Sequence, residues 1–224
     1  MNHAGRSSDL LAATHRIADL LPNAGITVIG FSLGAAMTVR MLGAHQQQLP
    51  DQVRNAMAIS PPIDLSYCCT QIQRGFSRMY DRTMARWMYR QVLLRRDENA
   101  AIRQLDTGRC PKSIRAFDSQ FTAPLGGFAS VDDYYEQASA AQYLQHITVP
   151  TCILTAADDP VVPIQIFDKK QLPPSVNLWA TNHGGHLGFL AAPNKDPDPW
   201  WLDWRIVDFV SSAKVESMIG SDAR

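Results

Sequence analysis

The stretch Val28-Ile29-Gly30-Phe31-Ser32-Leu33-Gly34-Ala35-Ala36 decides how the rest of the chain is read. Apolar Ile26, Val28 and Ile29 run into Gly-x-Ser-x-Gly, and small residues able to open a helix follow. A strand, a tight turn and a helix in that order are the context of a nucleophile elbow. Such a turn forces a strained backbone on Ser32. It lifts the hydroxyl clear of the sheet and aims the Leu33 N–H at the same point. Side chains two residues to either side are expected to collide, so Gly30 and Gly34 are the residue type this geometry requires.

Working outward, Ser7-Ser8-Asp9 predicts a helix start, with Leu10, Leu11, Ala13, Ile17, Ala18, Leu20 and Leu21 at helical spacing. Pro22-Asn23-Ala24-Gly25 ends it before the strand Ile26–Phe31. The helix after Ser32 carries Met37, Met41 and Leu42 and fades by Gly43. A second buried strand, Ala56–Ser60, is stopped by Pro61-Pro62; a third reads Thr151–Ala156 and a fourth Val176–Thr181. Ser130-Val131-Asp132-Asp133 resembles a capping box and opens a helix expected to run through Tyr134, Tyr135, Ala138, Ala141 and Leu144. A last helix begins after Asp198-Pro199 and is expected to bury Leu202, Ile206, Phe209 and Ala213. Trp200, Trp201 and Trp204 at its base read as packing aromatics, with a membrane-interface belt as the alternative. This alternation of strands and helices is the α/β class: a parallel sheet of about four strands with helices on both faces.

The alternation stops at about residue 65. Residues 1–64 and 131–224 read as the α/β core, and 65–130 as a helical cap insert. Within the insert, residues 71–96 hold seven arginines (74, 78, 82, 86, 90, 95 and 96) against one acid, Asp81. Five of them recur every fourth residue and would stack along one helix, with Ile72, Phe76, Met79, Trp87 and Met88 as its apolar side. Two readings of this stripe stand: a solvated face over a packed one, or a lid helix that meets anionic lipid headgroups.

The chain has 224 residues, with 21 basic and 21 acidic side chains, a balance that gives no pull toward nucleic acid. Cys68, Cys69, Cys110 and Cys152 lack metal-ligand spacing, and a reduced, cytosolic setting is expected. No apolar run reaches the roughly 20 residues of a membrane span, and the N-terminus has no signal-like apolar region.

A serine nucleophile needs a base, and the base needs an orienting acid. In folds with this elbow the chain order is Ser, then Asp or Glu, then His. After the third strand comes Ala157-Asp158-Asp159-Pro160, and after the fourth comes Asn182-His183-Gly184-Gly185-His186-Leu187-Gly188. Both segments leave carboxyl ends of strands, the edge where open α/β sheets place their sites. One of the two acids is expected to cap its loop. Asp159, directly before Pro160, is the choice for the orienting acid. His183 and His186 are three apart, but no further ligands accompany them, so no metal is expected.

These residues carry a resemblance. Gly30-Phe31-Ser32-Leu33-Gly34, Ser60-Pro61-Pro62-Ile63-Asp64-Leu65, Phe117-Asp118-Ser119-Gln120-Phe121-Thr122-Ala123-Pro124, Asp133-Tyr134-Tyr135, Ala157-Asp158-Asp159-Pro160 and His183-Gly184-Gly185-His186-Leu187-Gly188 are similar to blocks of the YheT-like branch of the α/β-hydrolases. The resemblance implies a catalytic triad of Ser32, Asp159 and His186, a small-molecule or lipid ester as substrate, and no cofactor. Members of that branch carry several strands and a His-Gly loop before the elbow, where this chain has 31 residues. A partial α/β-hydrolase fold that begins late is therefore expected. Without the loop that supplies a second oxyanion donor, Leu33 N–H is left as the donor, and losing one costs on the order of 10²–10³ in rate. The strand 26–31 would then expose an edge that invites self-association. The reading is a serine ester hydrolase with weak turnover; the alternative is a non-catalytic remnant that binds lipid or a protein partner.

Overall fold

A computed structural model describes residues 3–167, 172–193 and 195–211. The chain divides into two compact units. One is Ser7–Ile63 with the residues from Ala140 onward; the other is Asp64–Ser139 with the N-terminal residues up to Arg6.

The first unit holds helix α1 (Ser7–Leu20), strand β1 (Ile26–Phe31), helix α2 (Leu33–Ala44) and strand β2 (Val53–Ile59). After the second unit it resumes with β3 (Thr151–Ala156), β4 (Val176–Thr181) and the last helix, Trp201–Ser211. The four strands are parallel and lie in sequence order, β1-β2-β3-β4. Among the described residues no strand pairs with the outer side of β1. Every residue of β3 is buried, as a strand covered on both faces requires. Met57, Ile59, Cys152, Leu154 and Ala156 form one face of the core with Phe189, Leu202 and Phe209. Ala56 and Ala58 point the other way by strand alternation, and α2 packs against β1 and β2 through buried Ala35, Ala36 and Val39.

Strand β2 starts three residues earlier than its apolar run. Parallel pairing recruits the extra turn of strand, with Ile26 N–H donating to Gln52 O at 2.7 Å and Val53 standing opposite Ile26. In the last helix Leu202 and Phe209 are buried and Ile206 packs half-buried against them; Ala213 lies outside the described residues. Trp201 stacks on Phe189 and meets Trp179 edge-on, while Trp204 donates its indole N–H to Asp198.

The second unit is helical: α3 (Leu65–Ile72), α4 (Ser77–Leu94), the short α5 (Ala100–Arg103) and α6 (Ile114–Phe117), a wide turn at Asp118–Thr122, α7 (Ala123–Gly126) and α8 (Val131–Ala138). Two expectations change here. The arginine-rich stretch is two helices, because Gly75 takes φ 51° between them and places Arg74 in the connection. The helix opened by Ser130 stops at Ala138, and a separate 3₁₀ turn covers Ala141–His146. Ser139 breaks it: its hydroxyl donates to Tyr135 O at 2.6 Å and accepts Leu65 N–H at 3.1 Å, in extended backbone.

Inside this unit Val92, Ile102, Phe117 and Phe121 make one apolar cluster. Beside Tyr134 and Tyr135 sits a buried polar network. Asp118 accepts from Thr122 Oγ1 at 2.6 Å and from Tyr135 OH at 2.9 Å, and Cys69 Sγ is 3.0 Å from the same hydroxyl. Burial pushes the Asp118 carboxyl up to about 6 against the pull of its two hydrogen bonds, and pushes the Cys69 thiol up to about 12.

Candidate active site

Ser32 stands between β1 and α2 with φ 49° and ψ −118°, a backbone conformation that costs of order 1–3 kcal/mol for a residue with a side chain. Its N–H donates to Ile59 O at 2.8 Å and its carbonyl accepts Ala36 N–H at 3.0 Å, so both sides of the turn are pinned. The hydroxyl makes no cap bond to α2. Leu33 is the first residue of that helix, and its N–H belongs to the helical donors without an intrahelical acceptor.

Only one of the two elbow glycines is crowded. A Cβ at Gly30 would lie 2.6 Å from Thr38 Oγ1 and 2.7 Å from both Ala35 Cα and Gly34 O. A Cβ at Gly34 would meet nothing within 4 Å among the described residues, contrary to the collision expected there. α2 crosses β1 on the Gly30 side, so Gly30 bears the close approach.

The loop after β4 carries His186. Gly188 N–H donates to Gly184 O at 2.8 Å and Thr181 Oγ1 donates to His183 O at 2.9 Å. Leu187 takes φ 73° and packs its side chain on the sheet core. These constraints turn the imidazole of His186 so that Nε2 is 2.9 Å from Ser32 Oγ and Nδ1 is 2.9 Å from Asp159 Oδ2. The Asp159 side chain is fully buried, and that of His186 keeps 15% of its surface exposed.

The two neighbouring acids divide their work in a way the sequence left open. Asp159 both caps its loop and meets the histidine: Oδ1 accepts the N–H groups of Val161 and Val162 at 2.8 and 2.9 Å, leaving Oδ2 for His186. Asp158 is exposed and reaches across to the other loop, where Oδ1 accepts Gly185 N–H at 2.8 Å and Oδ2 lies 3.2 Å from His183 Nδ1. The Gly185 N–H, with the His183 ring beside it, holds the Asp158 carboxyl below the usual carboxylate range. Asp158 thus ties down the turn that bears His186. The adjacent acid in Asp158-Asp159 was the only sequence signal for it. Among the described residues no group of three His, Cys, Asp or Glu side chains gathers as a metal ion needs. No helix among them is long and apolar enough to cross a membrane.

The model of the alpha/beta hydrolase fold family matches residues 1–193. The chain belongs to that family. As an α/β-hydrolase it is similar to YheT of Escherichia coli, 31% identical over 213 residues, covering 94% of this chain and 62% of the relative. It is also similar to phospholipase ABHD3 of Mus musculus, 30% identical over 190 residues, covering 82% of this chain and 45% of that protein. The chain thus spans between about half and three fifths of the length of these relatives. The esterase Pf2001 of Pyrococcus furiosus shares the fold, with a TM-score of 0.52 and 20% identity over 94% of this chain and 62% of that one. The fold expectation, a four-stranded parallel sheet with flanking helices in an α/β-hydrolase, agrees with these findings.

Proposed function

We propose that this chain is a serine hydrolase of carboxylic esters, working through an acyl-enzyme with Ser32 as nucleophile, His186 as general base and then acid, and Asp159 as the group that orients the imidazole. The observation that carries the reading is the unbroken relay of two 2.9 Å contacts from Ser32 Oγ through the ring to a buried carboxylate. A carboxylate can only accept, so Asp159 holds the ring proton on Nδ1 and leaves the Nε2 lone pair facing the hydroxyl. His186 then takes the Ser32 proton as Oγ attacks the acyl carbon. It returns that proton to the departing alcohol oxygen, and a water repeats the sequence to release the acid. The developing oxyanion is assigned to the Leu33 N–H, aided by the positive end of α2. The names of the relatives, a phospholipase among them, favour a lipid ester as substrate, with short-chain esters the other class the site would take.

Labelling with a fluorophosphonate, followed by mass mapping of the modified peptide, tests this. Wild type is expected to label at Ser32, with Ser32→Ala unlabelled and His186→Ala slowed strongly. Equal labelling of wild type and Ser32→Ala overturns the assignment and leaves a binding protein on a hydrolase fold.

A further inference from the structure

Of the residues expected on the apolar side of the arginine-rich segment, Ile72 is buried and Met88 packs against a core cluster, but Phe76, Met79 and Trp87 face solvent. α4 buries Asp81, Ala85 and Val92, with Met88 and Tyr89 half-buried beside them. At 100° per residue these lie opposite the line defined by Phe76, Tyr80, Trp87 and Leu94, four side chains within about 40° of one another on the helix surface. All four are out in solvent: Phe76 is 98% exposed, Leu94 73%, Trp87 62% and Tyr80 50%. Met79 and Leu93 are exposed beside them, and a shallow groove of about 430 Å³ runs between Trp87, Arg90, Gln91, Leu93 and Leu94.

Charge says what such a face is for. Arg82, Arg86 and Arg90 are exposed along one flank of the aromatic line. The single acid of the helix, Asp81, is buried on the other side, where it accepts Ile114 N–H at 2.7 Å. The outward surface of α4 is therefore apolar in the middle, cationic along its flank, and without an acid of its own. A second protein or a second copy of this chain would need an acidic rim around an apolar groove to match it. A bilayer with anionic lipid supplies both parts at once: acyl chains accept Phe, Trp and Leu at the headgroup boundary, and guanidinium groups reach back to the phosphates.

We propose that the exposed face of α4 is a docking surface for anionic membranes, with Phe76, Trp87 and Leu94 entering the interface and Arg82, Arg86 and Arg90 bound to lipid phosphates. Through this helix the chain lies along the membrane surface.

Co-sedimentation of the full chain with phosphatidylcholine vesicles, with and without phosphatidylglycerol, tests the proposal. Sedimentation is expected with the anionic vesicles only, and it is expected to fall as salt rises. Arg86→Glu with Arg90→Glu is expected to weaken partitioning about tenfold or more. Trp87→Ser with Leu94→Ser is expected to lower it at low salt as well, separating apolar insertion from charge. These side chains are exposed, so unchanged urea midpoints establish that both variants are folded. Failure to sediment with anionic vesicles overturns the proposal, as does equal sedimentation with both vesicle types. A wild-type dimer in analytical ultracentrifugation that Trp87→Ser with Leu94→Ser converts to monomer, without vesicle binding, also overturns it and makes the face a contact between copies.

Discussion

Replacing Gly30 with alanine tests the elbow at its tightest point. The added methyl carbon would sit 2.6 Å from Thr38 Oγ1 and 2.7 Å from two atoms of the α2 backbone, Ala35 Cα and Gly34 O. Thr38 cannot swing away at no cost, since its hydroxyl donates to Gly34 O at 2.9 Å. Restoring ordinary contact therefore means backing α2 off β1 by about 0.7 Å, an overpacking strain of about 1–3 kcal/mol. Ser32 lies between the two elements, so its hydroxyl moves with the helix. A contact of 2.9 Å to His186 stretched by that amount passes beyond hydrogen-bond range. A displacement approaching 1 Å is worth about 10² in rate. Gly34→Ala is the control: its Cβ meets nothing within 4 Å, and alanine is the better helix former in the first turn of α2. Urea unfolding and the rate of fluorophosphonate labelling are the two measurements. Gly30→Ala is expected to lose both stability and labelling, and Gly34→Ala neither. If Gly30→Ala labels as fast as wild type, or Gly34→Ala is as damaging, the packing argument for the elbow is wrong.

Three further outcomes follow from the same geometry. Asp159→Asn keeps an oxygen for the Val161 and Val162 N–H groups but turns a donor toward His186 Nδ1, so the fold should survive while labelling falls by up to about 10⁴; unchanged labelling would exclude Asp159 as the orienting acid. Asp158→Ala removes the acceptor for Gly185 N–H and should slow labelling about three- to tenfold, with Asp158→Asn restoring most of the loss through its retained oxygen; an Asn variant as slow as the Ala variant would rule out the tether. Asp118, pushed up to about 6 from 3.8, is held protonated more tightly in the folded unit than in the unfolded chain. Its contribution is complete below about pH 4 and is lost as pH rises through about 6, a change of at most about 3 kcal/mol that Asp118→Asn should not show in urea unfolding across that window; parallel pH profiles for the two proteins would refute it.

Much of the fold is written locally. Ile26–Phe31, Thr151–Ala156 and Val176–Thr181 have the bounds their apolar runs indicate; of the three only Thr151–Ala156 is buried at every residue, as an inner strand covered on both faces requires, while the other two are partly exposed. Where bounds moved, a partner distant in sequence moved them: Ile26 extends β2 by pairing with Val53, and Leu65 helps Ser139 end α8. The break at Gly75 went unread, because the four-residue arginine spacing runs through the glycine that marks it. The direction of α4 was not legible either. Periodicity shows that a helix has two faces, but both faces of this one are apolar in part. Phe76 and Trp87 look as buriable as Ala85 and Val92 until the neighbouring helices show which side they cover.

By itself, then, the sequence determined the parallel sheet, the strand–turn–helix at Ser32 and the order in which serine, acid and histidine leave the strands, since each depends on residues close along the chain. Tertiary structure alone decided that Nε2 of His186 comes within 2.9 Å of a hydroxyl 154 residues away, that Asp158 reaches across to hold the histidine loop, and that α4 turns its aromatic line outward. Those outcomes are set by distances between segments that no local pattern encodes.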